Sequence, residues 1–229
     1  MGVEVIIPAA VWDDAHRTAA RWWTAARWKT QGHTVTVATL ASRPWSKGRS
    51  VNAAIAASTA DVIVVADGDC FVPFDSMTDA ISLARTGNWV VPFAWVRRLD
   101  CTSTAHTLLT PPALVDTPER RGLAQDPHSA LPGGGIIAAS REVWSTVGGF
   151  DPRFTDWGGE DYALGCALRT MTGMPAVTMP GDLWHLWHPP QPNVSGESAA
   201  TSALALRYRL AKFRPDQMTQ LLAEWRTDA

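Results

Sequence analysis

The stretch Asp61-Val62-Ile63-Val64-Val65-Ala66-Asp67-Gly68-Asp69-Cys70 limits the possible folds more than any other part of the chain. Val62 to Ala66 is a short, unbroken apolar run rich in β-branched side chains, the pattern of a strand buried on both faces. It ends abruptly in two carboxylates separated by a glycine. Strands buried on both faces belong inside α/β sheets, and in open α/β sheets ligands gather outside the carboxyl ends of the strands. Asp67 and Asp69 therefore stand where a phosphate-bearing ligand and a divalent cation would sit. The same residues also suit a plain Asx-glycine turn, so the remainder of the chain has to discriminate.

Composition sets the outer bounds. A chain of 229 residues with 46% hydrophobic and 18% charged residues has the make-up of one ordinary soluble domain with a substantial core. The formal net charge of −2 provides no overall field for nucleic acid, although a local basic face is compatible with it. No apolar run approaches membrane-spanning length, and the start of the chain shows no basic-then-apolar leader, so the expected location is cytoplasmic. Cys70, Cys101 and Cys166 are odd in number and far apart, which fits reduced thiols.

Strand and helix patterns alternate along the first half. Val3 to Pro8 reads as a first strand, and Asp13 or Asp14 can cap a helix with Ala15, Ala19, Trp22 and Ala26 at helical spacing. His33 to Leu40 alternates as a second strand, Ser46 caps a helix running to about Ser58, and the Val62 strand follows. Ser76 and Asp79 resemble a capping box for a helix that turns Met77, Ala80, Ile81 and Ala84 inward and closes at Gly87. Asn88 to Val96 is the next strand. This order, with right-handed crossovers, predicts an α/β fold with a mostly parallel central sheet and helices on both faces.

From Arg97 to Pro132 periodicity is lost, and a long irregular excursion with one short helix is expected. Ile136 to Ser140 is a strand, Arg141 to Val147 a short helix, Pro175 to Met179 a strand, and Trp184 to His188 an extended segment. Ala203, Leu206, Leu210 and Phe213 mark one helix, and Met218, Leu221, Leu222 and Trp225 a last one.

Three groups of residues then line up with a known family. Gly133-Gly134-Gly135-Ile136-Ile137-Ala138-Ala139-Ser140, Gly148-Gly149-Phe150-Asp151-Pro152-Arg153-Phe154 and Trp157-Gly158-Gly159-Glu160-Asp161 resemble the carboxyl half of GT-A glycosyltransferases, above all the galactosyltransferase type. Val5-Ile6-Ile7-Pro8, Lys47-Gly48-Arg49-Ser50-Val51-Asn52 and Asp67-Gly68-Asp69 resemble the family 2 glycosyltransferases. The likeness runs from about residue 3 to residue 190 in the family's motif order. It implies a single GT-A domain over 1–229, with a nucleotide-binding half at 1–96, an acceptor and catalytic half at 97–190, and two C-terminal helices at 199–227.

The resemblance also implies roles. Asp69 corresponds to the metal ligand of the Asp-x-Asp motif and Asp67 to the residue that reaches the ribose or sugar. In Trp184-His185-Leu186-Trp187-His188-Pro189, His185 and His188 stand where the galactosyltransferase type carries a Met and a His as its remaining metal ligands. A carboxylate and imidazole shell suits Mn²⁺ better than Mg²⁺, though Mg²⁺ is also an option. Alternatively, His185 packs between the tryptophans. In inverting members the residue at Asp161 takes the proton of the acceptor hydroxyl and Glu160 holds a sugar. Retaining relatives carry an amide at the Asp161 position. Trp157 offers a wall for a sugar ring, and Gly158 and Gly159 let backbone approach the ligand. Pro8 borders the nucleobase, with Lys47 or Arg49 near the uracil or phosphates, unless those two cations are only a solvated helical turn.

The implied activity is transfer of a hexose from a UDP-sugar, glucose or galactose, to an acceptor hydroxyl. Three other readings share parts of the pattern. A sugar nucleotidyltransferase usually shows a Gly-rich basic loop after its first strand, absent here. A glycoside hydrolase could use Asp161 as one of two carboxylates. A non-catalytic sugar-binding module would keep Trp157 but has no need for a metal pair and a base together. The acceptor stays open among glycan, protein and modified DNA. Arg17, Arg21, Arg97-Arg98, Arg120-Arg121, Arg207, Arg209, Lys212 and Arg214 would suit a polyanion such as hydroxymethylated DNA if they converged beside Asp161, and are otherwise solvated helix faces.

Overall fold

The computed structural model describes residues 2–11, 13–41, 44–119, 123–125, 134–155, 158–190 and 198–226. Its strands are β1 (Val3–Ala9), β2 (Thr34–Thr39), β3 (Val62–Ala66), β4 (Cys70–Phe71), β5 (Trp89–Val91), β6 (Trp95–Arg98), β7 (Leu123–Gln125), β8 (Ile136–Ser140), β9 (Val177–Thr178) and β10 (Asp182–His185). Its helices are α1 (Ala15–Thr30), α2 (Lys47–Ala57), α3 (Phe74–Arg85), α4 (Cys101–Leu109), α5 (Arg141–Val147), α6 (Glu160–Thr172), α7 (Ala199–Ala211) and α8 (Pro215–Arg226).

Two sheets organise these elements, one in the order β2-β1-β3-β8-β5-β9 and a smaller one in the order β4-β10-β6-β7. All five residues of β3 and all five of β8 are buried, as unbroken apolar runs at the middle of a covered sheet must be. β3 pairs parallel with β1, whereas β8 runs against both of its neighbours, β3 and β5. The sheet is therefore mixed, with β8 as the reversed strand. This reversal matters for the site. Ile136, the first residue of β8, pairs with Ala66, the last of β3, so the glycines before β8 land beside Asp67.

The stretch from Asn88 to Val96 is not one strand but two, β5 in the large sheet and β6 in the small one. Pro92 lies between them and has no N–H to give a ladder, which lets the chain change sheets. The excursion after Arg97 is more ordered than its composition suggests, since α4, a 3₁₀ turn at Pro112–Leu114 and β7 all lie within it.

Helix ends follow local chemistry where a capping side chain is present. Asp14 accepts from the Arg17 N–H to start α1, and Ser46 accepts from the Arg49 N–H to start α2. The expected cap at Ser76 does not form. α3 begins at Phe74 after Pro73, and the Phe74 N–H is taken by Asp116 instead, at 2.8 Å. The inward face of α3 is as expected, with Met77, Ala80, Ile81 and Ala84 buried, and α8 likewise buries Met218, Leu221, Leu222 and Trp225.

Two helices turn the opposite way from their expected stripes. In α1 the face with Ala15, Ala19, Trp22 and Ala26 points to solvent, with Trp22 64% exposed, while Ala20, Trp23, Thr24, Ala25, Arg27 and Trp28 are buried. Three alanines bury little apolar area, and the indoles of Trp23 and Trp28 outweigh them. In α7, Ala203, Leu206 and Leu210 are exposed, as is Phe213 just beyond its end, and Thr201, Tyr208 and Ala211 face inward. The cause is polar: Asp151 is 4% exposed and needs donors, and the Tyr208 hydroxyl donates to its Oδ2 at 2.9 Å.

Arg27 is fully buried, and no periodicity in the sequence announces it. Its guanidinium donates to the carbonyls of Val72 (2.8 Å), Pro112 (3.2 Å) and Val115, so one cation ties α1 to β4 and to the excursion. The three thiols are free, as expected. Among the described residues no helix is long and apolar enough to cross a membrane. Replacing the donor while keeping the bulk, Arg27→Leu, strands these carbonyls and is expected to cost about 3 kcal/mol or more in urea unfolding. A loss below about 1 kcal/mol would contradict the tethering role.

Candidate active site

Asp67 is the first residue beyond β3, and two contacts fix its carboxylate. Oδ1 accepts from Lys47 Nζ at 2.9 Å and Oδ2 from the Gly135 N–H at 3.2 Å. Lys47 is the first residue of α2, and its stem runs inward, leaving the side chain 8% exposed. The same ammonium donates to Asp161 Oδ1, also at 2.9 Å. One lysine thus joins the end of β3 to the start of α6, residues that lie 94 positions apart in sequence (161 − 67).

Asp161 lies in the first turn of α6, whose N-cap, Gly159, adopts φ 83°. A side chain at Gly159 would be strained by that backbone and would meet the Phe154 ring at 2.8 Å. Gly134 is small for a different reason: a Cβ there would lie 2.9 Å from Asp161 Oδ2. Burial, together with the neighbouring Glu160 and Asp67 carboxylates, pushes the Asp161 carboxyl up to about 7 against the pull of Lys47. For Lys47, burial disfavours the charge, but Asp161, Asp67 and Glu160 more than offset it and hold the ammonium well above its ordinary value.

A second cluster gathers around Asp69. His188 Nε2 lies 3.2 Å from Asp69 Oδ2, and His185 Nε2 lies 3.9 Å from Oδ1. The ladder does this: β10 pairs antiparallel with β4 so that His185 sits opposite Cys70, and the Leu186 N–H donates to the Asp69 carbonyl at 2.8 Å. His188 Nδ1 is 3.0 Å from the Pro189 carbonyl, which can only accept, so Nδ1 carries a proton; Nε2 faces Asp69, donating to it as the imidazolium and offering a lone pair to a cation once that second proton is lost. Burial resists ionisation of Asp69, but the His188 hydrogen bond and the two imidazoles outweigh it and hold the carboxyl well below its usual range. Burial lowers His185, whereas Asp69 raises His188 in spite of burial. A carboxylate with two imidazole nitrogens facing it is a donor set that fits a divalent cation.

Both clusters open into one cavity of about 720 Å³. Pro8, Lys47, Asp67, Asp69, Glu160, Asp161, His185 and His188 line it, which brings together most of the residues expected from sequence. Arg49 does not line it. It lies two residues beyond Lys47, more than half a helical turn round α2, and is exposed. Gly158 and Gly159 shape the turn into α6 rather than the cavity wall, and Gly158 has φ 104°. Trp157 lies outside the described residues, as do Gly133, Arg120 and Arg121.

The wall also contains residues to which the sequence assigned no such place. Gly134 and Gly135 belong to the first motif of the resemblance, which gives them no role in a site, yet they lie against Asp161 and Asp67. Arg17 and Arg21, four apart on α1, enter with Arg98, and Arg17 comes within 4.0 Å of Asp69. All three belong to the basic set that would suit a polyanion, and they line the cavity instead of forming a face beside Asp161. Trp45 lines the cavity too, with its buried Nε1 lacking a hydrogen-bond partner. The basic residues of α7 do not join them, and Arg207 is paired with Glu224. Among the described basic residues, Arg17, Arg21 and Arg98 share the cavity, Arg17 beside Asp69 and Arg21 paired with Asp13, while Arg97 pairs with Asp182, so they do not form one broad face beside Asp161.

A family model described as the N-terminal domain of galactosyltransferase matches residues 125–174, which include the Gly134 turn and the start of α6. No curated protein matches by sequence. Among solved structures, the catalytic domain of Drosophila β1,4-galactosyltransferase 7 in complex with xylobiose is 12% identical over 88% of this chain and 78% of that one, with a TM-score of 0.51. A mutant of that enzyme in complex with manganese, UDP-Gal and xylobiose is 10% identical over 89% of this chain and 79% of that one, at 0.51. GalNAc-T7 with UDP, GalNAc and Mn²⁺ is 14% identical over 99% of this chain but 54% of that one, at 0.57. At such identities the likeness speaks to architecture, and it shows that this chain has the GT-A glycosyltransferase fold.

Proposed function

We propose that the chain is a metal-dependent, inverting glycosyltransferase that moves a hexose from a UDP-sugar to an acceptor hydroxyl, acting as one GT-A unit over residues 1–229. The observation that carries this reading is that a single cavity holds both the Asp69, His185 and His188 cluster and the Lys47-bridged pair of Asp67 and Asp161. A hydrolase or a passive sugar-binding module has use for one of these clusters but not for both. The neighbours with UDP, UDP-Gal and manganese support the choice of donor and ion.

In this reading the departing diphosphate lies at the Asp69 end, where Arg17, Arg21 and Arg98 supply positive charge and Pro8 borders the base. A divalent cation held by Asp69, His185 and His188, Mn²⁺ ahead of Mg²⁺ for such ligands, would supply further charge stabilisation to the leaving group. Asp67 holds the ribose or sugar, and Glu160 the sugar hydroxyls. Lys47 occupies Asp161 Oδ1, which leaves Oδ2, lying against Gly134, to take the proton of the acceptor hydroxyl. The acceptor oxygen attacks the anomeric carbon from the face opposite UDP, and configuration inverts.

Three expectations follow from this division of labour. Asp161→Asn keeps donor binding but lowers transfer by about two to four powers of ten, the scale of a positioned base. In the unmodified chain, transfer rises as Asp161 ionises, with a midpoint near its value of about 7, and is lost as pH falls below it. Transfer by the Asn variant at the unmodified rate, or product with retained configuration, refutes the inverting base. Asp69→Ala and His188→Ala each weaken Mn²⁺ binding by about tenfold or more in calorimetry. Unchanged affinity in both would remove the cluster from the metal site.

A further inference from the structure

Cys70 lies inside the metal cluster, and the transferase reading gives it no task. It directly follows Asp69, is 2% exposed, and its Sγ stands 3.3 Å from Asp69 Oδ1. In the β4–β10 ladder Cys70 is paired with His185, so the two side chains project from the same face of an antiparallel pair, side by side. Ligand atoms of Asp69, Cys70 and His185 all lie within 4.8 Å of one another, and His188 Nε2 reaches the other oxygen of Asp69 at 3.2 Å. Donors bound at about 2.0–2.3 Å to a tetrahedral ion stand about 3.3–3.8 Å apart, so a small contraction closes the set around an ion.

We propose that Cys70 is a ligand of the same cation, making the site a carboxylate, thiolate and imidazole set that prefers a borderline ion such as Zn²⁺ or Co²⁺ to Mg²⁺. The proposal rests on the metal site of the transferase reading and changes its chemistry. A thiolate is a soft donor, and its presence shifts selectivity away from the hard cations that carboxylates alone favour. Binding breaks the S–H bond, forms a sulfur–metal bond and releases the proton to solvent, with no change of oxidation state. Mn²⁺ gains less from sulfur and would be held mainly by Asp69 and the two imidazoles. If Cys70 were only a small buried residue hydrogen-bonded to Asp69, serine would replace it without consequence for any metal.

The test uses the full chain with Cys101→Ser and Cys166→Ala, which leaves Cys70 as its sole thiol. Titration with Co²⁺ is expected to produce a thiolate-to-cobalt charge-transfer band in the near ultraviolet that saturates at a single ion. Adding Cys70→Ser abolishes the band and weakens Zn²⁺ binding about tenfold or more in calorimetry, while Mn²⁺ binding changes by less than about threefold. Cobalt binding without the band overturns the thiolate ligand and leaves the transferase reading standing, and this result needs no substitution at Cys70. Zn²⁺ affinity unmoved by Cys70→Ser does the same. Failure of Co²⁺, Zn²⁺ and Mn²⁺ alike to bind overturns the metal site of that reading together with the inference.

Discussion

The ammonium of Lys47, held at 2.9 Å from both Asp67 and Asp161, ties the end of β3 to the start of α6 in the wall of one cavity. β3 lies in the first part of the chain, and α6 within residues 125–174, the stretch matched by the galactosyltransferase model. Three carboxylates, Asp67, Glu160 and Asp161, surround this one buried cation and hold it charged. Burial is what chiefly raises Asp161, with the neighbouring Glu160 and Asp67 carboxylates adding to it against the pull of Lys47, and a carboxyl raised in this way is suited to the proton transfer proposed for it. The arrangement holds only because Gly134 leaves room at Oδ2 and because the reversed strand β8 delivers Gly135 to Asp67.

Much of this was legible from residue patterns, and the limits have physical causes. The Val62 strand, the Ser46 cap and the inward face of α3 follow from local rules that burial did not contest. The faces of α1 and α7 did not, because bulky indoles overrode a stripe of mostly small residues in α1, and a buried carboxylate that takes the Tyr208 hydroxyl overrode an apolar stripe in α7. Arg27 and the buried Asp151 draw their helices inward through hydrogen bonds to partners far off in sequence, which no window of neighbouring residues contains. In the site, side chains that carry charge were readable as candidates. Glycines that act by leaving space, such as Gly134, become readable only when the atom they make room for is known.

The small sheet has a separate role. It places no large core, yet the pairing of β4 with β10 sets His185 opposite Cys70 and thereby fixes which donors can reach Asp69. His185 and Cys70 are neighbours by register rather than by sequence, and Arg17 of α1 approaches the Asp69 carboxylate from outside the small sheet. In the proposed transferase, strand register would set the donors around Asp69, while the start of a helix places Asp161.

Whether the two clusters form one nucleotide-sugar site is decided by melting the chain with Mn²⁺ against UDP, ADP, GDP and CMP. UDP with Mn²⁺ together, at about a hundredfold excess over Kd, is expected to raise Tm by about 5 °C or more, with little effect from UDP or Mn²⁺ alone. Equal stabilisation by every nucleotide, or none by UDP with Mn²⁺, would contradict a UDP-sugar site spanning Asp69 and Asp161.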